Sequence, residues 1–385
     1  MWQEDPVWAD LLDARERAAL NPGPPAMLDR HPDVLVVGGG VQGLSAAAAC
    51  RERGLGHVLL IERDRLAAGP SGSAAGTLCP EAHLEIEGPV FVAFAQRSHA
   101  RYRALAERLG AELGLRRIDW VILTGEGAPM PLPEGTPVED LHEAGLRELL
   151  PGLAAGGPAG LVRDGQSHLN PQRLAVCLAK RAGTVVSGVE YQGMEVESGR
   201  VRAVHTSHGT VHPGAVVFAT GLAPEAMASM PQLLVKGHLC TTEPAPFRLD
   251  VSITDRAGGA AVGQLPDGRI LTGGDRGEDD GRGVDPAVIA SFRERLVRLL
   301  PEAAGLEISH AWSCRRPATP DRWPVVDRVP GLDNAWLTAA HYATGILLAP
   351  EIAAALAAWI ETGRAPGTIG PFRNGAGRAR GDPRR

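Results

Sequence analysis

Between Asp33 and Glu62 the apolar pattern has three parts. A short continuous run, Val34-Leu35-Val36-Val37, meets the glycines Gly38 to Gly40. An alanine-rich stretch then continues to Arg53, and a second apolar run spans His57 to Glu62. Short apolar runs broken by glycine read as buried strands, and a longer alanine-rich stretch between them reads as a helix, so this segment predicts a β-α-β opening. Helical patterns follow at Val90 to Gly110 and Pro171 to Ala182. Val185 to Ala219 reads as strands and tight turns, with Glu197-Ser198-Gly199 as a hairpin signal. Short alternating runs from Leu234 to Leu271 predict a separate sheet, and the amphipathic stretch Pro286 to Leu300 predicts the helix that covers it. Ile346 to Thr362 is the last strong helical pattern. The remainder, Gly363 to Arg385, is rich in Gly, Pro and Arg without periodicity and is expected to be a disordered tail. Before all of these, Asp5 to Leu20 carries Trp8, Leu11 and Leu12 at helical spacing, and Asn21-Pro-Gly-Pro-Pro-Ala ends the pattern. It predicts an accessory helix and linker packed on the outside of the molecule. No internal repeat is present.

At 385 residues and 44% hydrophobic composition the chain can supply two cooperating domains and a sizeable core. The formal net charge of -6, with no dense Lys/Arg stripe before the tail, argues against nucleic acid and for a small-molecule ligand. The five cysteines are odd in number and lack paired metal-type spacing, and the amino terminus is acidic where a secretory leader is basic. A reducing cytoplasm is therefore expected. No membrane is expected either, because no apolar run approaches the roughly twenty residues that span a bilayer. A homo-oligomer stays open.

The turn Gly38-Gly39-Gly40-Val41-Gln42-Gly43 has the form GxGxxG and lies between the predicted strand and helix. Gly38 permits the tight turn, Gly40 lets the backbone approach a pyrophosphate, and Gly43 permits close packing of helix on strand. The phosphate charge then meets unpaired N–H groups and the positive end of the helix. In a chain with 48 glycines the hexapeptide alone is a weak signal. Glu62 strengthens it, because a carboxylate closing the second strand accepts hydrogen bonds from ribose hydroxyls and disfavours a 2'-phosphate, hence NADP. These residues do not separate FAD from NAD.

The segment DVLVVGGGVQGLSAAAACRERG, followed by VLLIERD and GPSGSAAGTL, resembles the opening of the D-amino-acid oxidase superfamily, and within it the glycine oxidase branch. Later pieces continue the resemblance in order: LNPQRL from Leu169, VVFATGLAP from Val216, VKGHL from Val235, LPDGRILTGG from Leu265, RRPATPDRWPVVD from Arg315 and HYATGILLAP from His341. It implies an α/β fold, a Rossmann-type FAD-binding domain joined to a second α+β substrate domain on a mostly antiparallel sheet. On that basis residues 33–83, 165–232 and 310–363 are assigned to FAD binding, 84–164 and 233–309 to the substrate domain, 1–32 to the accessory helix and linker, and 364–385 to the tail.

The same resemblance implies FAD contacts at Gly38, Gly40, Val41, Gln42 and Gly43, at Glu62 and Arg63, and at Ser71, Ala75, Gly76 and Thr77. Further contacts are implied at Val189, Ala219, Gly221 and Cys314, and along His341, Ala343, Thr344, Gly345, Ile346 and Leu347. The activity implied is oxidation of an amine or α-amino acid to an imine by hydride transfer to flavin N5, which requires neither a metal nor a nucleophile. Oxygen would then be reduced to hydrogen peroxide. The alternative is a dehydrogenase subunit, of opine or proline type, that passes electrons to a redox partner. A non-catalytic FAD-binding scaffold is a third reading.

Arg316 takes the position of the arginine that holds the substrate carboxylate in glycine oxidases, for which a guanidinium offers a two-point fork. Tyr342 is expected to line the substrate pocket, and His341 to act more through its backbone than its ring. A helix starting near Thr344-Gly345 could aim its N-terminus at charge gained by the reduced flavin. Two departures matter. Glycine oxidases carry a second arginine where this chain has Ala343, so carboxylate clamping is expected to be weaker or built differently: Arg315 compensates, or the substrate is larger, or it lacks a free carboxylate altogether. A lysine that serves oxygen activation in sarcosine oxidases aligns with Leu271. Cys314, finally, matches in spacing the flavin-linked cysteine of monomeric sarcosine oxidases, although a free cysteine more commonly serves as a small buried apolar residue. His83 and His238 carry no motif support.

Overall fold

Val34–Val37 is buried along its whole length and forms the centre of a six-stranded sheet. Its parallel neighbours are Val58–Glu62, in register Val34↔Val58 to Val37↔Ile61, and Ala215–Gly221, in register Val34↔Ala215 to Val37↔Phe218. Thr184–Ser187 extends the sheet on one side. Ala335–Ala339 and the antiparallel Val325–Arg328 complete it on the other. Strands buried on both faces need an unbroken Val/Leu/Ile sequence, and the sequence has that form here. Because the three central strands run in parallel and in register, their carboxyl ends open together, where ligands bind in sheets of this type. This is a computed structural model, and it describes residues 2–125, 129–154, 157–224, 227–228, 230–277, 281 and 283–374.

A larger, mostly antiparallel sheet lies beside the first. Among its strand-to-strand pairings within the described residues, Val251–Asp255 with Arg116–Leu123 is the parallel one. The helix Pro286–Leu299 covers this sheet with Ile289, Phe292, Leu296 and Leu299, as its amphipathic pattern predicts. The strand Ile308–Ala318, carrying Cys314 and Arg316, runs in this sheet and pairs with Leu233–Pro244, so that Gly237 opposes Cys314 and Val235 opposes Arg316. A third sheet of three strands contains the Ser198-Gly199 hairpin turn, both residues having φ near +50 to +73° as a type I′ turn requires.

Three expectations are corrected. The Asp5–Leu20 stretch is not one helix. Val7–Ala9 is a 3-10 turn, and a new helix, Ala14–Ala19, starts where Asp13 and Glu16 form a reciprocal capping box. Nor does it lie outside: Val7 and Trp8 are 0% and 1% exposed, packed with Leu239, Leu265, Leu271 and Trp312. The tail is ordered to Asn374, because Gly367–Phe372 forms a 3-10 turn that buries Ile369 and Phe372 completely. Phe372 stacks edge-on against Phe94 at 4.7 Å. The rest of the expected tail, 375–385, lies outside the described residues. Finally, the helix Gly345–Thr362 is long and apolar enough to cross a membrane by length and composition. It packs against the helices Val41–Glu52 and Leu84–Leu109, so the core uses its apolar surface.

Candidate functional site

A cavity of about 1160 Å³ opens at the carboxyl ends of the six-stranded sheet. That is above the range of about 300–1,000 Å³ typical of small-molecule pockets, and so has room for a dinucleotide and a substrate together. One wall is built from Val37, Gly38, Glu62 and Ala219 to Gly221. Another comes from the large sheet through Leu239, Gly273 and Ser313 to Pro317.

The glycine turn has little tolerance. Gly38 has φ +112°, and a Cβ there would overlap the Ala219 carbonyl. A Cβ on Gly43 would overlap the carbonyl oxygen of Gly38 itself, so helix and strand can approach this closely only without a side chain. Gly40 begins the helix Val41–Glu52, and the Val41 N–H donates to Ser71 Oγ at 3.0 Å. Ser71 therefore already serves the helix start, leaving its own hydroxyl proton for another acceptor. Glu62 is held by the turn, accepting from Gly39 N at 2.6 Å and Asp64 N at 2.9 Å.

On another side the chain runs through an unusual turn. Ala340 and Tyr342 both adopt left-handed backbone conformations, φ +57° and +48°. Such geometry is costly outside glycine and concentrates at functional sites. The Tyr342 N–H donates to Pro317 O at 2.6 Å, and Thr344 Oγ1 donates to His341 O at 2.9 Å, closing the turn that starts the helix Gly345–Thr362. His341 Nε2 pairs with Thr338 Oγ1 at 2.9 Å. Burial pushes its pKa down to about 3, so the ring is neutral.

Gln42, His341 and Tyr342 line this cavity, and each also carries one buried polar atom, Gln42 Oε1, His341 Nδ1 and Tyr342 OH, with no hydrogen-bond partner among the described residues. The bare glycine turn in the cavity wall, where Gly38 and Gly43 admit no side chain, fits a bound dinucleotide.

Arg316 Nη1 donates to Asp275 O at 2.9 Å, and its guanidinium occupies the space a Cβ on Gly237 would fill. Cys314 sits two residues earlier on the same strand face. Burial raises its thiol pKa, and the neighbouring Arg316 only partly opposes that. Asp275 is itself pinned. Its carboxylate accepts from His238 N at 2.5 Å and from His238 Nδ1 at 2.8 Å, while His238 Nε2 accepts from Asp285 N at 3.2 Å. Burial raises the Asp275 pKa, but the hydrogen bonds from His238 and the charge of Arg316 outweigh it, and the net shift is downward.

Of the residues singled out in the sequence, Gly38, Gly40, Val41, Gln42, Glu62, Arg63, Ser71, Ala75, Gly76 and Thr77 line this cavity. Val189, Ala219, Gly221, Cys314, Arg316, His341, Tyr342, Ala343, Gly345, Ile346 and Leu347 do too. Gly43 and Thr344 do not; they shape it from behind, by packing and by closing the turn. Arg315 shares the wall. Leu271 is buried in the apolar cluster with Trp8 and Trp312. His83 pairs with Glu87 away from the cavity.

Sequence reasoning missed what holds the wall at 73–75. Three ring N–H groups from distant elements each take one carbonyl: Trp312 Nε1 to Ser73 O at 2.8 Å, Trp8 Nε1 to Ala74 O at 2.9 Å and His168 Nε2 to Ala75 O at 2.9 Å. It also missed Arg276, which lines the cavity with its guanidinium 6.0 Å from the Tyr342 ring centroid. Both are long-range contacts with no local signature.

The family described as DAO, FAD dependent oxidoreductase, matches residues 33–359. The chain is 30% identical over 360 residues to a glycine oxidase of Pseudomonas aeruginosa, covering 86% of this chain and 95% of that protein. It is 29% identical over 356 residues to the bifunctional protein ThiO/ThiG of Nostoc sp., covering 84% of this chain but only 52% of that longer protein. The crystal structure of glycine oxidase from Geobacillus kaustophilus superposes with a TM-score of 0.79 at 24% identity, covering 91% of this chain and all of that one.

Proposed function

This chain belongs to the DAO family of FAD-dependent oxidoreductases, and from that premise we propose that it oxidises a small α-amino acid of glycine, sarcosine or D-amino-acid type to the imine and passes the electrons to oxygen. The observation that carries the reading is a single cavity lined both by the glycine turn, where Gly38 and Gly43 admit no side chain, and by Arg316.

In this reading the Gly38 to Gly43 turn and the helix it starts hold the pyrophosphate. Glu62 accepts from the adenosine ribose, and the His341 to Leu347 turn holds the ring. FAD, when bound, would supply the two-electron acceptor for oxidation of the substrate carbon–nitrogen bond to the imine. The chain's own contribution is orientation. Arg316 forks onto the substrate carboxylate and fixes the α-carbon. Asp275 and His238 keep that guanidinium in place through the Asp275 carbonyl. His341 is neutral and supplies no charged acid.

Arg316→Met tests this directly. With the bidentate contact gone, kcat/KM for a carboxylate substrate falls by about 100-fold or more, and Arg316→Lys recovers only part of it because a point charge cannot replace the fork. Unchanged kinetics in Arg316→Met would remove Arg316 from the site.

FAD is held without a covalent bond in this account, since the thiolate is the adding form and burial keeps the Cys314 thiol protonated. Acid precipitation therefore releases the yellow colour to the supernatant. Colour that stays with the pellet, and is lost in Cys314→Ser, reverses that conclusion.

One observation favours a second reading. Leu271, buried and apolar, stands where the resemblance has an oxygen-activating lysine. A dehydrogenase handing electrons to a partner would reduce artificial acceptors while producing no peroxide, whereas the oxidase produces peroxide stoichiometrically.

A further inference from the structure

We propose that the segment 2–20 is a positioning element of the cofactor site: Trp8 holds one carbonyl of the cavity wall, and docking of the segment and binding of FAD strengthen each other. The inference rests on the reading that this cavity holds FAD, and on nothing about the substrate. The segment lies outside the family match, which starts at residue 33. It nonetheless bridges the two main parts of the molecule. On the large sheet, Gln3 pairs with the edge strand Ile308–Ala318, its N–H donating to Ser309 O and its carbonyl accepting from Ala311 N, both at 2.9 Å. Asp10 accepts from Arg269 Nη1 at 3.0 Å and faces His310 Nε2 at 3.3 Å. On the dinucleotide side, the Trp8 carbonyl accepts from Asn170 Nδ2 at 2.9 Å, and Glu16 pairs with Arg173 at 2.8 Å. The Leu20 carbonyl accepts from Leu66 N at 2.8 Å.

Trp8 sits in the middle of this bridge, 1% exposed, with its indole N–H on the Ala74 carbonyl. Trp312 and His168 take the carbonyls on either side, Ser73 and Ala75. Burial lowers the His168 pKa to about 4, so its ring is neutral and the Ala75 carbonyl fixes its single proton on Nε2. Ser73, Ala74, Ala75 and Gly76 all line the cavity, whereas none of the three rings does. In a trans peptide the carbonyl of one residue and the N–H of the next point in opposite directions. With the carbonyls of 73–75 drawn to the rings, the N–H groups of Ala74, Ala75 and Gly76 are directed away from them. The side chains here are small, so the backbone is the polar surface this wall offers an occupant. Without the Trp8 indole, the Ala74 carbonyl seeks other partners in the apoprotein, and FAD must restore the wall at a cost to its own affinity. By linkage, bound FAD makes release of the segment rarer by the same factor.

FAD titration of the full-length apoprotein tests this. Trp8→Phe keeps an aromatic ring and loses the N–H; it raises the FAD dissociation constant by about tenfold, the size of one buried acceptor left without its donor. The visible absorption bands of the bound flavin shift in the same variant. Trp312→Phe does likewise through Ser73. Trp359→Phe removes a buried indole that packs on Trp336 instead of the wall, and lowers the thermal midpoint without changing affinity or spectrum. The N–H groups of Asp10, Leu11 and Leu12 bond within the segment. Their hydrogen exchange in the wild-type protein slows by about tenfold when FAD is added, the reciprocal of the affinity effect. That measurement needs no variant, so it decides the matter even where Trp8→Phe does not fold. Unchanged affinity and spectrum in Trp8→Phe, or exchange in the segment indifferent to FAD, overturns the proposal and leaves FAD binding standing. Folded wild-type protein that takes up no FAD defeats the parent reading as well.

Discussion

Gly43→Ala gives a protein that no longer retains FAD, with the dissociation constant raised by about 100-fold or more. The added Cβ falls within the Gly38 carbonyl oxygen. Neither partner can retreat. Gly38 is held by its N–H to Ile61 O at 2.9 Å and already lies against the Ala219 carbonyl, and the Val34–Val37 strand is paired on both sides. The helix must therefore lift away from the strand, and the N–H groups of its first turn move with it. Overpacking of this kind costs about 1–3 kcal/mol, and misaimed donors at a pyrophosphate add to it. Gly193→Ala, at a β position with nothing near its Cβ, leaves affinity unchanged. FAD titration of the apoprotein, followed by flavin fluorescence, checks both. Wild-type affinity in Gly43→Ala would show that the turn does not cradle the phosphates.

The second large effect is on stability below neutral pH. Burial pushes the pKa of His99 down to about 4, helped by the charge of Arg103. It does the same to His168, also to about 4, with Arg116 adding to the shift and the Ala75 carbonyl opposing it. His341 is pushed to about 3 by burial alone. In the unfolded chain each titrates near 6.5. Between these values the unfolded chain binds a proton that the folded chain refuses. The stability these rings contribute is therefore complete above about pH 6.5 and is lost as pH falls toward their folded values. Each refused proton costs about 1.4 kcal/mol per pH unit, so three together approach about 4 kcal/mol per unit between pH 6 and 5. Urea midpoints from pH 7.5 to 5 should fall steeply, and His99→Gln should remove about a third of the slope. A flat midpoint over that range contradicts the burial of these neutral rings.

The parts of the fold visible in the sequence were those set by local rules. Val34–Val37 had to be a doubly buried strand, Gly38 to Gly43 had to turn tightly, and Ser198-Gly199 had to make a two-residue hairpin, because the residues concerned allow little else. Pro286–Leu299 was legible for the same reason: its apolar stripe has one period. Trp8 was not legible, since its spacing suited a surface helix, and its burial comes from distant partners, the Ala74 carbonyl, Trp312 and the leucines of the large sheet. Ile369 and Phe372 were hidden by the Gly, Pro and Arg around them, and two anchored apolar residues suffice to order a segment that composition calls loose. At the site, the residues on the dinucleotide side came with a motif. Arg276 did not, because its place in the cavity wall over Tyr342 joins two segments far apart in the chain.

Anaerobic mixing of the FAD-loaded protein with a panel of glycine-like, N-substituted and dicarboxylic amino acids, followed by the yellow absorbance of the flavin, bears most directly on the central claim. At least one of these compounds should bleach the flavin fully within the time of a single turnover, and readmitting oxygen should restore the colour with peroxide formed. A protein carrying a full complement of FAD that keeps its colour against every amine would contradict the account.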